Sequence, residues 1–186
     1  MVKTLSSMIP LGTIAPEFEL LEPSTNKHLS LQALRGNCAT VIMFICNHCP
    51  FVKHITTELT LLACDYKDQG IRFIAINSND VETYPEDLPE KMVQEAKAHG
   101  YPFPYLYDET QELAKAYHAQ CTPDFFVFDD QLACVYRGQL DDSRPGNDIA
   151  VSGSDVRAAL NALISGKPVS EVQKPSVGCN IKWKNS

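Results

Sequence analysis

The stretch Val41-Ile42-Met43-Phe44-Ile45-Cys46-Asn47-His48-Cys49-Pro50-Phe51-Val52 constrains the fold more than any other. Val41 to Ile45 is a continuous apolar run, which reads as a strand buried on both faces. It delivers two cysteines, separated by two residues, to the point where a helix can begin. Pro50 suits a first helical turn, because its missing N–H would have had no intrahelical partner. Val52, Ile55, Leu59, Leu62 and Tyr66 then recur at helical spacing, and Gly70 ends the run, so a helix is expected over 50–69. The N–H groups and dipole at a helix start favour a thiolate, the species that attacks disulfides.

The other elements group around this unit. Phe18 to Leu21 and Lys27 to Leu31 flank the turn-rich Glu22-Pro23-Ser24-Thr25-Asn26, which predicts a hairpin. Leu31 and Leu34 before Gly36 suggest one helical turn, and residues 71–76 read as a second central strand. Helices are expected over 87–99, 110–118 and 154–165, and strands over 125–128 and 133–137 as a second hairpin. Pro104 cannot donate to a ladder, so 103–107 is expected at a sheet edge. Residues 1–14 carry no strong signal. The expectation is an α/β fold: a mixed central sheet flanked by helices, with an N-terminal hairpin and an extra helix–strand insertion between residues 77 and 120.

A chain of 186 residues, 44% apolar and 21% charged, suffices for one domain, taken as residues 1–166 with 167–186 as a tail docked on it. The net charge of −7 argues against a nucleic-acid surface. The tail carries +3 against −10 for the rest, so the two are expected to attract. Ile181 and Trp183 give the tail an apolar reason to dock. No stretch approaches the ~20 apolar residues of a membrane span, and no secretion signal is evident. The cytoplasm is the expected location. Seven cysteines, an odd count without framework spacing, read as catalytic rather than as a disulfide scaffold.

Cys46-Asn47-His48-Cys49-Pro50 after a buried strand resembles the active site of the thioredoxin superfamily. Thr122-Pro123 before Phe125-Phe126-Val127-Phe128 resembles that fold's cis-proline loop. Ala15-Pro16-Glu17-Phe18-Glu19-Leu20, with Leu31 to Gly36 following, resembles the lead-in of peroxiredoxins and TlpA-type proteins. Over roughly residues 10–166 the chain is similar to a peroxiredoxin-like, AhpC/TSA-related thioredoxin-domain group with a Cys-Asn-His-Cys-Pro site and a Gly-Cys-Asn-Ile-Lys-Trp tail.

The resemblance implies a thiol–disulfide oxidoreductase in which Cys46 is the more exposed nucleophile and Cys49 resolves the mixed disulfide. His48 would stabilise the Cys46 thiolate and make the disulfide a better oxidant, as disulfide isomerases and DsbA-like oxidants carry His at the same place. Thr122, Pro123 and Asn47 are the candidate substrate contacts, with the backbone before Pro123 receiving an extended segment by strand addition. Cys121 and Cys179 are candidates for additional redox roles, against the blander reading of packing thiols. The implied partners are protein or small-molecule disulfides and a cellular dithiol reductant, with no membrane or nucleic acid. No cofactor is implied, since the dithiol itself carries two electrons. No metal is expected either: zinc needs four ligands and no second Cys-x-x-Cys exists.

Two departures stand out. Thr40 replaces the buried acid that thioredoxins carry six residues before the first cysteine, and Ile45 replaces an aromatic residue. Two rival functions compete with exchange. In a peroxiredoxin-like peroxidase the motif is Thr-x-x-Cys-Pro; here Cys46 holds the threonine position, and the essential arginine aligns near Pro123. A non-enzymatic redox-sensing binding module would instead exchange slowly and change partner affinity with oxidation state. A reduction potential near roughly −270 mV would mark a reductant, and one near −180 to −120 mV an oxidant or isomerase.

Overall fold

The computed structural model describes residues 3–185. In chain order the elements are β1 (Lys3–Leu5), β2 (Glu19–Glu22), β3 (Lys27–Ser30), α1 (Leu31–Leu34), β4 (Ala39–Phe44), α2 (Pro50–Tyr66), β5 (Ile71–Asn77), a 3-10 turn (Pro85–Asp87), α3 (Pro89–His99), β6 (Tyr105–Tyr107), α4 (Glu112–Ala116), β7 (Cys121–Thr122), β8 (Asp124–Phe128), β9 (Cys134–Gly138), α5 (Ser154–Ile164) and β10 (Val177–Asn180). Seven strands form a mixed sheet in the order β3-β2-β6-β5-β4-β8-β9. Among the described residues no helix is long and apolar enough to cross a membrane.

The apolar run lies at the sheet's centre. β4 is parallel to β5, with Val41 opposite Phe73, and antiparallel to β8, with Val41 opposite Val127. Because side chains alternate across a strand, Val41 and Met43 meet one core layer while Ile42 and Phe44 meet the other. The first layer is closed by Val52, Ile55, Leu59 and Leu62 of α2 and by Val156 and Leu160 of α5. The second is closed by Leu31, Leu113 and Tyr117. There Phe44 packs tilted or edge-on against Tyr117 and Phe126, with centroids 5.6 and 5.9 Å away, the geometry aromatic quadrupoles favour. Fully burying each such side chain contributes about 1.5–3 kcal/mol, so β4 fixes rigidly whatever follows it.

Two expectations need correction. β6 is interior, between β5 and β2, rather than at an edge. Pro104 lies just before it and needs no donor: its carbonyl accepts the Ala75 N–H at 3.0 Å. The N-terminus is not featureless either. β1, β10 and β7 form a second, three-stranded sheet, which brings β1 and the tail strand β10 together beside the Thr122–Pro123 peptide, and that peptide is cis. The tail also docks through Ile181, which is buried, while Trp183 remains exposed with Lys115 Nζ 5.9 Å from its ring centre. The basic tail meets acid at Lys174, whose Nζ lies 2.7 Å from Asp142 Oδ2.

Candidate active site

Where β4 ends, Ile45 still donates its N–H to Ile76 O at 3.0 Å. Cys46 is therefore positioned by the sheet. Cys49 is the N-cap of α2, in extended conformation and with Pro50 in the first turn. The cis Thr122–Pro123 peptide, held between β7 and β8, faces both thiols. Cys46 Sγ lies 3.2 Å from Thr122 Oγ1, and Cys49 Sγ lies 3.2 Å from Thr122 O. Neither sulfur is open to solvent: Cys46 is 2% exposed and Cys49 0%. The expectation of an exposed first cysteine thus shrinks to a marginal difference, because the tail and the 80–88 loop roof the site.

A third sulfur completes the cluster. Cys179 Sγ, from β10, is 2.6 Å from Cys49 Sγ. The neighbouring Cys179 and Cys46 sulfurs and the Val52 and Cys179 N–H groups hold Cys49 far below the ordinary thiol range although burial opposes them. The Thr122 carbonyl, which accepts the Cys49 thiol at 3.2 Å, opposes the charge. Burial, the bond to Cys49 and the nearby Asp87 carboxylate push Cys46 well up, against the Thr122 hydroxyl. The bond to Cys49, then burial, pushes Cys179 up as well. Cys49 is thus the sulfur whose surroundings favour the thiolate, and Cys46 and Cys179 are those whose surroundings oppose it.

His48 is fixed from below by a residue the sequence reading passed over. Its Nδ1 donates to Asp87 Oδ2 at 2.7 Å, and its ring stacks on Tyr84 at 5.3 Å. Asp87 is fully buried, and it also accepts the Asn47 N–H at 2.7 Å and Asn79 Nδ2 at 2.8 Å. The bond to Asp87 raises His48, with burial working the other way. Burial works against the ionised Asp87, but the bonds from His48, Asn79 and the Asn47 N–H outweigh it and lower its pKa. The result is an ion pair beside Cys46. Cys46, His48 and Asp87 could each offer a ligand atom within 4.8 Å of the others. Both carboxylate oxygens and the histidine Nδ1 are already committed to one another and to Asn47 and Asn79, so the cluster fits proton handling better than a metal.

Other expected site residues fall differently. Asn47 donates to Glu86 O at 2.9 Å and accepts from Tyr105 OH at 2.9 Å, so its side chain holds the loop. Together with His48 it lines an open cleft of about 400 Å³ bordered by Lys53, Glu86 and Lys91. The Thr122 edge, expected to receive substrate, is already paired with β10. Cys121 is buried, its thiol 3.7 Å from Pro123 O, and burial pushes it up out of the titrating range. It packs without touching the other sulfurs. Thr40 caps the Gly36 N–H at 3.0 Å, away from the thiols. Buried acid is supplied instead by Asp87 and by Asp124, whose carboxyl burial pushes well up.

A comparison with curated proteins finds no match. Among solved structures, the chain is similar to an uncharacterized conserved protein from Geobacillus kaustophilus, at 61% identity, with 100% of this chain and 98% of that one covered and a TM-score of 0.98. A hypothetical protein from Sinorhizobium meliloti is 47% identical over 98% of this chain and 100% of its own, with a TM-score of 0.96. The thioredoxin domain of a thiol-disulfide oxidoreductase from Bacteroides vulgatus shares the fold at 15% identity, over 73% and 90% of the two chains, with a TM-score of 0.59. The fold is thioredoxin-like. The AhpC/TSA family matches residues 11–137, more than half of the sequence and the part that carries the Cys-x-x-Cys pair and the cis-proline. The chain therefore belongs to the AhpC/TSA family.

Proposed function

We propose that the chain is a thiol–disulfide oxidoreductase acting through a Cys46–Cys49 dithiol–disulfide couple. One observation carries the reading: both sulfurs of a Cys-x-x-Cys pair at a helix start lie 3.2 Å from atoms of Thr122 in a cis Thr122–Pro123 peptide. A proton moves from Cys46 to Cys49 along their hydrogen bond, leaving the thiolate on Cys46 between the Thr122 hydroxyl and the His48 imidazolium. That thiolate attacks one sulfur of a protein or small-molecule disulfide; the S–S bond breaks and half of the substrate leaves as a thiol, taking the proton from Cys49. Cys49, deprotonated again, attacks the Cys46 sulfur and releases the second half. The substrate gains two electrons and the couple loses them, and a cellular dithiol restores it. No organic cofactor or metal takes part. Seven cysteines with a single Cys-x-x-Cys fit the reducing cytoplasm.

Incubating the reduced protein with a chromogenic disulfide tests this. The expected result is consumption of one equivalent and a Cys46–Cys49 disulfide in the product; exchange no faster than that of an unstructured thiol peptide would overturn it. His48→Ala should lower the reduction potential by roughly 30 mV or more, the equivalent of a tenfold loss in stabilisation of the reduced form. The sign follows from the site: the variant removes the cation beside Cys46 and leaves the Asp87 carboxylate. Equilibration against glutathione buffers measures it, and an unchanged or raised potential would contradict the tuning role.

Family membership favours peroxidase activity as a second reading. Cys46 stands at the threonine position of Thr-x-x-Cys-Pro, and Arg137 binds Ile9 O and Gln173 instead of a thiol, so nothing evident orients a peroxide for in-line attack. Parallel assays should show disulfide exchange outpacing hydrogen peroxide consumption; the reverse order would select the peroxidase.

A further inference from the structure

The C-terminal strand lies where an extended substrate would add. β10 runs antiparallel to β7, with Cys179 opposite Thr122 and Asn180 opposite Cys121. The Ser176 hydroxyl donates to Pro123 O at 2.6 Å, and the Ile181 N–H to Gln120 O at 3.0 Å. Gly178 makes this approach possible, since a Cβ there would lie 2.0 Å from Thr122 O and 3.1 Å from Pro123 N. The register delivers Cys179 to the first turn of α2 and places its sulfur against that of Cys49, on elements 130 residues apart. A cysteine that only filled space would resemble Cys121, whose sulfur meets a carbonyl. Cys179 instead meets the central sulfur of the redox pair.

We propose that Cys179 is a third redox residue, which takes over the disulfide from Cys46 by exchange at Cys49. The inference rests on the Cys46–Cys49 couple proposed above. Once that disulfide has formed, Cys179 gives up its proton to solvent and its thiolate attacks Cys49 Sγ. The Cys46–Cys49 bond breaks, a Cys49–Cys179 bond forms, and the electron pair leaves on Cys46, where the Thr122 hydroxyl receives the charge. The step is an internal exchange with no net oxidation, and it runs in reverse when Cys46 attacks Cys49 again. In the Cys49–Cys179 form β10 is covalently fastened along the cis-proline edge. Extended polypeptides are then excluded from that edge, and the substrates that remain are small disulfides.

Disulfide mapping decides the matter. The reduced full-length protein is treated with one equivalent of a chromogenic disulfide, quenched in acid, alkylated and digested without reductant. A peptide joining the Cys49 segment to the tail is expected in the wild type, with Cys46 alkylated, together with the Cys46–Cys49 form. Cys46→Ser, which cannot form the first disulfide, should lack the tail cross-link, and Cys179→Ser should hold only Cys46–Cys49. A wild type that forms Cys46–Cys49 but lacks the tail cross-link would overturn the role of Cys179 alone. Absence of Cys46–Cys49 from both the wild type and Cys179→Ser would overturn the underlying couple.

Discussion

Cys46→Ser is expected to reduce disulfide exchange to the uncatalysed background, a loss on the order of 10⁴-fold or more, the scale seen when a covalent nucleophile is deleted. A serine hydroxyl stays protonated at neutral pH, so no anionic nucleophile can form at this position. The fold should survive. The site is almost fully buried and the new hydroxyl can still hydrogen-bond to Thr122 Oγ1, the partner of the Cys46 sulfur, so stability is expected to stay within about 1 kcal/mol of the wild type. The complementary variant, Cys49→Ser, retains the attacking thiol and loses the resolving one. It should accumulate mixed disulfides with substrates, where a redox sensor without exchange activity would yield almost none. Stopped-flow exchange with a chromogenic disulfide, beside a denaturant melt, checks both halves. A Cys46→Ser protein that keeps a tenth of the wild-type rate would move the nucleophile to Cys49, the sulfur whose surroundings favour the thiolate.

Much of the architecture was legible because β4 and α2 are governed by local rules. An unbroken apolar run buried on both sides, a proline at a helix start and a 3.6-residue repeat identify their elements without tertiary information. The cis Thr122–Pro123 peptide was readable only through resemblance to a family, since nothing in two residues specifies an isomer. What escaped were features made by long-range closure. β10 is Val177-Gly178-Cys179-Asn180, too short and too mixed to alternate, and it exists because two other strands flank it. Its signal was Gly178 beside a cysteine, a sign of close backbone approach that gains meaning only once the partner is known. Asp87 escaped because Pro85-Glu86-Asp87 reads as a helix-starting segment, where acids are ordinary on the surface. Burial turned it into a functional group: the inserted loop folds back over the first turn of α2 and closes on His48.

Asp87→Ala should destabilise the protein by about 3 kcal/mol, in the range for removing one partner of a buried ion pair with its hydrogen bonds. The carboxylate satisfies His48 Nδ1, the Asn47 N–H and Asn79 Nδ2, and all three lose their acceptor together. His48 limits the damage by giving up its proton, so its pKa should fall below the wild-type value on NMR titration. The pH dependence has a definite sign. His48 is raised in the folded state, so its share of the stability is complete below its unfolded value of 6.5 and fades as pH rises through the folded one. Asp87 is lowered, so its share is complete above its unfolded value of 3.8 and fades as pH falls through the folded one. The stability gap between wild type and Asp87→Ala is therefore greatest between those values and narrows on both sides. Above the window it does not vanish, because a neutral imidazole still donates Nδ1–H to the carboxylate. Asp87→Asn, which keeps an acceptor for the Asn47 N–H but no charge, should fall between the two proteins and show a flatter profile. Urea melts at pH 5, 7 and 9 supply the comparison. A gap below 0.5 kcal/mol, or one that widens steadily towards pH 9, would mean that the pair adds no charge-dependent support to the loop that presents His48 to Cys46.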